Sequence, residues 1–413
     1  MRIGVIADDL TGAFDTGVQF RAWGMGVEVV IGADSEMGEA KVVVVDTESR
    51  YDSVEDAYRK VRGVAEAMAS SGVDVIYKKV DSTLRGNVGA ELDAVMDATG
   101  SELAFIAPAY PAHGRTTRNG LQLIDGRPID TTEYSGELGT GEANVQHILG
   151  GQSRRRIGAV NLETLRGGRK AVHERLEDLR EDGVEAVVFD AESEADLLNV
   201  LRCGREVDVF VGAAGLASEL PHGLGLREVR PVLAIVGSTR ALTRIQAGIL
   251  RDRLGCAEIK VQVETLIDGG EHGREEALRC ADAAIGALAN GVDVIVGSAL
   301  EEGSPARAIL YGRAQGVDED GVRRRIEDCL GEIAATILTK ASVSGLILTG
   351  GATALKVING LGHGSATIIE EVQPGIPLLE LAGGLKAVSK AGGFGNEDAL
   401  VEAVKKLRRA PWS

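Results

Sequence analysis

The chain has 413 residues, with 45 Lys and Arg against 62 Asp and Glu, for a net charge of −17. That length suits two domains, and the acidity excludes a general nucleic-acid binder, which needs a basic face to displace counterions. Its 55 glycines against only 9 prolines suit a folded protein whose loops bring bare backbone close to a ligand.

No apolar run approaches the roughly 18 residues of a membrane span. Asp8 and Asp9 come too early for a secretory signal. Cys203, Cys256, Cys280 and Cys329 are scattered with no CxxC pair, which excludes a zinc knuckle and a disulfide framework. Reduced thiols, a cytoplasmic location and no membrane or nucleic-acid partner are therefore expected.

Short β-branched runs predict strands at 3–6, 27–31, 41–45, 73–78, 103–107, 184–189 and 207–211. A second set is predicted at 232–236, 257–263, 292–296, 345–349 and 385–389. Between them, stretches such as 53–70 and 273–290 carry apolar residues at helical spacing. This alternation predicts two doubly wound α/β domains with mainly parallel sheets and an active-site cleft between them. The seam is expected in 221–231, PHGLGLREVRP, which has turn residues and no periodicity, giving domains of 1–225 and 226–413.

Three polar stretches of the first half follow predicted strands. In VIADDLTGAFDTG (5–17) the strand runs into Asp8 and Asp9, with a tight Thr11-Gly12 turn and a helix from near Ala13. Strand alternation sends the two acids to opposite sides, one facing the ligand and the other capping the helix. Asp15 lies one turn further on and can face the same space. In YKKVDSTLRGNVGAELDAVM (77–96), Asp81, Ser82, Thr83, Arg85 and Gly86 precede a helix. Free N–H groups at that helix start and the planar fork of Arg85 form an anion cradle. In APAYPAHGRTTRNG (107–120), Arg115 is a better ligand candidate than His113.

The second half has three glycine loops after strands: VGSTRALT (236–243), TGGATA (349–354) and KAGGFGNED (390–398). Gly350, Gly351, Gly392, Gly393 and Gly395 leave backbone N–H groups accessible to a phosphate. There is no GxxxxGK[ST] loop and no GxGxxG fingerprint; GAAGLASEL (212–220) misses the latter's spacing.

Taken in order, ADDLTGA (7–13), KKVDSTLRGNVGAEL (78–92), PAYPAHGRTTRNG (108–120), VGAAGLA (211–217), VGSTRALT, TGGATA, EVQPGIPLLEL (371–381) and KAGGFG (390–395) resemble the signature stretches of the four-carbon acid sugar kinases. The resemblance spans nearly the whole chain. It implies a sugar-acid-binding N-terminal domain, an ATP-binding C-terminal domain, and phosphorylation of the 4-hydroxyl of a tetronate. It places ATP contacts on Ser238, Gly350, Gly351, Ala352, Thr353 and Gly393. The DSTLRG form is similar to that of the threonate and erythronate kinases, with a 3-oxo-tetronate as the alternative substrate. Ala352 stands where many relatives have an acid, and Leu379 where a small residue is common, which would alter a pocket edge.

The mechanism expected from these parts sets the substrate carboxylate on Arg85 and the 82–86 backbone, with Asp8 or Asp9 as base or orienter. Arg115 and Lys79 add positive charge, and Mg²⁺ enters with the nucleotide, its protein ligands unassigned. A homodimer is compatible with a metabolic enzyme of this size. Two other classes remain: a nicotinamide-linked dehydrogenase, which lacks its fingerprint here, and a non-catalytic sugar-acid sensor, which has no use for the second-half loops.

Overall fold

The computed structural model describes residues 1–33, 36–137, 141–227 and 229–409. The chain divides into two compact units, Met1–Glu228 and Val229–Ser413.

In the first unit, β1 (Ile3–Ala7) leads into α1 (Leu10–Ala22), followed by β2 (Val27–Ile31) and β3 (Val42–Asp46). Helix α2 (Val54–Ser70) precedes β4 (Val75–Lys79), and α3 (Val88–Thr99) precedes β5 (Ala104–Ala107). A side ribbon follows, of β6 (Arg115–Arg118), β7 (Leu121–Ile124) and β8 (Arg127–Pro128). Next come α4 (Val145–Gln152), β9 (Ile157–Val160), α5 (Leu162–Arg166), α6 (Arg169–Glu181) and β10 (Ala186–Phe189). The unit closes with α7 (Glu194–Cys203), β11 (Val209–Gly212) and α8 (Ala214–Gly223). Its main sheet is parallel throughout, in the order β2-β3-β1-β4-β11-β5-β10-β9.

The second unit opens with β12 (Val232–Val236), α9 (Ala241–Leu254), β13 (Ala257–Lys260), α10 (Val263–Asp268) and α11 (Gly270–Ala289). It continues through β14 (Val294–Gly297), α12 (Ser304–Ala314), α13 (Glu319–Lys340), β15 (Gly345–Thr349) and α14 (Gly351–Gly360). A hairpin of β16 (Ala366–Gln373) and β17 (Ile376–Leu381) precedes β18 (Lys386–Lys390) and α15 (Ala399–Arg409). Here β13-β14-β12-β15-β18 run parallel, and β17 and β16 extend the sheet antiparallel.

Local chemistry sets these elements. Ser53 caps α2 and Asp318 caps α13, each accepting a backbone N–H of the first turn, and Ser193 with Asp196 forms a reciprocal capping box on α7. The valine-rich strands inside the sheets are buried on both faces, as a parallel sheet covered by helices requires, while the edge strand β2 is only half-buried.

The expected α/β architecture is present, with several local differences. Strands predicted from Val73, Val207 and Val292 begin two residues later, each after an aspartate. Two of those aspartates bind across the sheet end instead of pairing in it: Asp74 accepts from Arg2 N at 2.6 Å, and Asp293 from Val232 N at 2.8 Å. The stretch 221–231 is not wholly irregular, because α8 continues through Gly223 with Pro221 inside it. The ribbon, β9 and the β16–β17 hairpin were not predicted. Residues 366–371 of β16 are exposed on both faces, so they carry no alternation to read. Leu379 lies in β17 and packs into the core of its unit.

Candidate active site

β1 ends at Ala7, so Asp8 and Asp9 lie past the last residue to which strand alternation applies. They are therefore not on opposite walls: both grip one guanidinium. Arg50, in the loop after β3, donates through Nε to Asp8 Oδ2 at 2.6 Å and through Nη1 to Asp9 Oδ2 at 2.7 Å. Asp9 is also the helix cap, its Oδ1 accepting from Gly12 N at 2.8 Å, so α1 starts at Leu10 and not near Ala13. Burial alone would lower the pKa of Arg50; the Asp8 hydrogen bond and the charges of Asp8, Asp81 and Asp9 outweigh it and raise it.

Asp8 is only 2% exposed, and its second oxygen, Oδ1, has no hydrogen-bond partner among the described residues. A buried acceptor left open costs free energy unless a ligand fills it, which marks the position as functional. Asp46, level with Ala7 across the sheet, likewise has an open Oδ2. Burial raises its pKa, the Glu48 N–H opposes this, and the charges of Glu48, Asp9 and Asp8 add to the rise.

The loop after β4 closes on this centre. Leu84 N donates to Asp81 O at 2.9 Å, and the buried Leu84 adopts φ 60. A non-glycine residue there costs roughly 1–2 kcal/mol, strain that functional loops commonly hold. Gly86 has φ 91, and a Cβ on it would lie 3.1 Å from the Arg50 carbonyl oxygen. Gly86→Ala is therefore expected to destabilise the first unit by roughly 1–2 kcal/mol, read as a fall in Tm by thermal denaturation.

Asp81 Oδ2 accepts from Arg85 Nε at 2.5 Å and from the Thr83 hydroxyl. Burial pushes the Asp81 carboxyl upward, but those two hydrogen bonds and the charges of Arg85 and Arg50 hold it below the usual range. The Arg85 guanidinium also lies 6.0 Å from the Tyr134 ring centre, and the Ser82 carbonyl accepts from Gln122 Nε2 at 2.7 Å.

Lys79 completes the cluster. The residue is 4% exposed, and its ammonium donates to the Val80 carbonyl at 2.8 Å and lies close to Gly12, at the start of α1. Burial lowers its pKa and Arg50 adds to that, while Asp8, Asp81 and Asp15 oppose. Beneath the site, the buried Lys78 pairs with Glu91 of α3 at 2.9 Å, and Ser49 Oγ donates to the same carboxylate at 2.5 Å. Burial raises the Glu91 pKa, with Lys78 opposing.

The third motif plays a different part. Arg115 donates to the His113 carbonyl, and among the described residues no hydrogen bond or ion pair joins its side chain to the 81–86 loop. His113 packs against Tyr110 with ring centres 4.4 Å apart. The end of the motif ties the ribbon to β10, with Asn119 N and Gly120 N donating to Asp190 at 2.7 and 2.9 Å.

In the second unit the glycine loops of β12, β15 and β18 come together. Gly350 is the N-cap of α14 and provides no side-chain cap, and Gly351 and Ala352 in the first turn are exposed. Open N–H groups at such a helix start favour an anion. Thr353 is buried against Gly237. Thr243 Oγ1 lies 3.1 Å from Ser238 Oγ and donates to the Gly392 carbonyl at 3.0 Å. Gly392 is obligatory there, since a Cβ would come within 2.2 Å of Ser238 Oγ. Gly393 is exposed at the loop tip, and Gly395 closes the loop against Ile376 and Ala399.

Sequence reasoning missed Arg50, Glu91 and Lys390, the last buried under this loop. The available signal for Arg50 was the polar run Asp46-Thr47-Glu48-Ser49-Arg50 at a strand's C-terminal end. Among the described residues no three His, Cys, Asp or Glu side chains gather to hold a metal, and no helix is long and apolar enough to cross a membrane.

Two α/β units, one centred on acids and cations at its strand ends and one on open glycine loops, define a two-domain small-molecule and nucleotide-binding protein. Residues 3–220 match a sugar-binding N-terminal domain family and residues 233–400 a nucleotide-binding C-terminal domain family. The chain belongs to the four-carbon acid sugar kinase family. It is 34% identical to a D-threonate kinase of Bordetella bronchiseptica, covering 98% of this chain and 97% of that one. It is 30% identical to a D-erythronate kinase of Heliobacterium modesticaldum, covering 98% and 96%. A solved structure from Bordetella bronchiseptica, described as a domain of unknown function with bound citrate in a domain-swapped dimer, matches all of both chains at 30% identity and TM-score 0.62.

Proposed function

We propose that this chain is an ATP-dependent kinase that phosphorylates the 4-hydroxyl of a four-carbon sugar acid, D-threonate or D-erythronate. The observation that carries the reading is the open, buried Oδ1 of Asp8, whose other oxygen Arg50 grips and whose charge acts on the buried Lys79. Arg50 holds the other Asp8 oxygen, so Oδ1 is the atom left to accept the hydroxyl proton. As that proton passes to Asp8, the substrate oxygen bonds to the γ-phosphorus and the bond to the ADP oxygen breaks. Asp9, engaged by Gly12 N–H and Arg50, orients the centre.

Arg85 and the 82–86 backbone receive the substrate carboxylate, and Lys79 adds charge to offset the meeting of two anionic ligands. Arg85→Ala is expected to raise the KM for the sugar acid by about 10- to 100-fold, the scale of a lost charge-assisted hydrogen bond, with the KM for ATP unchanged. Steady-state kinetics with each substrate varied checks this, and an unchanged sugar-acid KM removes Arg85 from the carboxylate site.

Ser238, Gly350, Gly351, Ala352, Thr353, Gly392, Gly393 and Gly395 form the nucleotide cradle in this reading. Mg²⁺ fits as the triphosphate's own counter-ion, because the cradle offers N–H and hydroxyl groups instead of a carboxylate cage. Bound there, it would neutralise charge on the phosphates. The domain-swapped dimer of the solved relative supports a homodimer for this chain as well.

The test is ADP release with Mg-ATP over threonate, erythronate, 3-oxo-tetronates and five-carbon aldonates. Turnover of threonate or erythronate supports the reading, and turnover of a 3-oxo-tetronate alone replaces the substrate. Silence across the panel with ATP bound discards the substrate class, and silence without ATP binding leaves a sugar-acid sensor.

A further inference from the structure

Lys390 is the last residue of β18 and is only 1% exposed, and its ammonium lies under the loop that follows. It donates to the carbonyls of Ala391 at 3.0 Å and Gly392 at 3.3 Å, and lies 3.5 Å from Thr243 Oγ1. Among the described residues no carboxylate forms an ion pair with it. A buried charge is normally kept only when it is paired, so this one lacks its counter-ion.

The two carbonyls have a geometric consequence. In a trans peptide the C=O and the following N–H point in opposite directions. Drawing the Ala391 and Gly392 carbonyls inward therefore turns the N–H groups of Gly392 and Gly393 outward. Neither N–H has a hydrogen-bond partner among the described residues. Two successive outward N–H groups above a buried cation make a concavity suited to a phosphate oxygen.

We infer that Lys390 is a positioning residue that presets the Gly392 and Gly393 N–H donors for a nucleotide phosphate and supplies that phosphate's counter-charge from beneath. The inference rests on the reading of the second unit as the ATP site. It adds a lysine-based phosphate device to a protein that has no GxxxxGK[ST] loop.

The protonation state of Lys390 makes the device testable. Burial lowers its pKa to about 8, with no charged neighbour among the described residues contributing to the shift. The stem of Arg240, a charged residue of the neighbouring β12 loop, packs against Gly392. The ammonium is present below pH 8 and lost above it, so the KM for ATP should rise as pH climbs through about 8. The KM for the sugar acid, bound in the other unit, should not follow.

The experiment is ATP KM and kcat against pH for the wild-type chain and Lys390→Met, with calorimetric titration of ATP into each. The expected result is an ATP KM about 10- to 100-fold higher in the variant at pH 7, kcat changed far less, and no pH step near 8. The wild-type profile stands alone if the variant does not fold: an ATP KM flat from pH 7 to 9 overturns the inference. ATP binding with an unchanged KM and pH step in Lys390→Met overturns it too, while the nucleotide reading survives. No ATP binding by the wild-type chain overturns that reading and the inference with it.

Discussion

Arg50→Ala is expected to lose nearly all activity and much of the stability of the first unit. The guanidinium holds Asp8 and Asp9 together, and the backbone bond from Arg50 N to the Asp8 carbonyl, which alanine keeps, cannot replace it. Removing it leaves Asp8 buried and uncompensated, at a cost of about 3–5 kcal/mol. Asp81 loses a charge that helps keep it ionised, and the Gly86 turn loses the side chain it packs on. Chemical denaturation and kcat/KM together check this. Arg50→Lys should recover part of the stability but little activity, because an ammonium cannot span both carboxylates as a planar fork does. An alanine variant with unchanged stability would show that the two acids need no shared partner.

Asp8→Asn is expected to lower kcat by about 10²- to 10⁴-fold, the usual contribution of a positioned base, with the KM for ATP unchanged. Asparagine keeps the size and one acceptor for Arg50 but cannot take a proton. Asp9→Asn should act mainly on stability and more weakly on kcat, since Asp9 is tied to the helix start and to Arg50. If Asp9→Asn proves the more damaging to kcat, the roles of the two acids are reversed.

The difference between these acids shows where sequence reading stops. Their place at the end of a buried apolar strand is legible, as is the glycine turn after them. Their common partner is not, because Arg50 lies 41 residues from Asp9 and reaches it only through the β1–β3 pairing. Arg85 illustrates a second limit. Its type and position suggest an anion site, but its Nε bond to Asp81 and its place near Tyr134 depend on how the loop folds back. The 108–120 motif reads as a cluster of donors, yet its backbone serves to anchor the ribbon on Asp190.

The sequence alone determined the α/β alternation, the parallel strands of both sheets apart from β9, and the family. These follow from patterns within a few residues: β-branched runs, helical spacing and glycine after a strand, whose physics is local. Tertiary structure decided the rest. Which acid caps α1, which oxygen of Asp8 stays open, and why a lysine is buried under the last glycine loop all depend on side chains brought together across strands. Electrostatics and desolvation act through space, so the protonation of Lys79, Asp81 and Lys390 is set by neighbours and burial that no local pattern records.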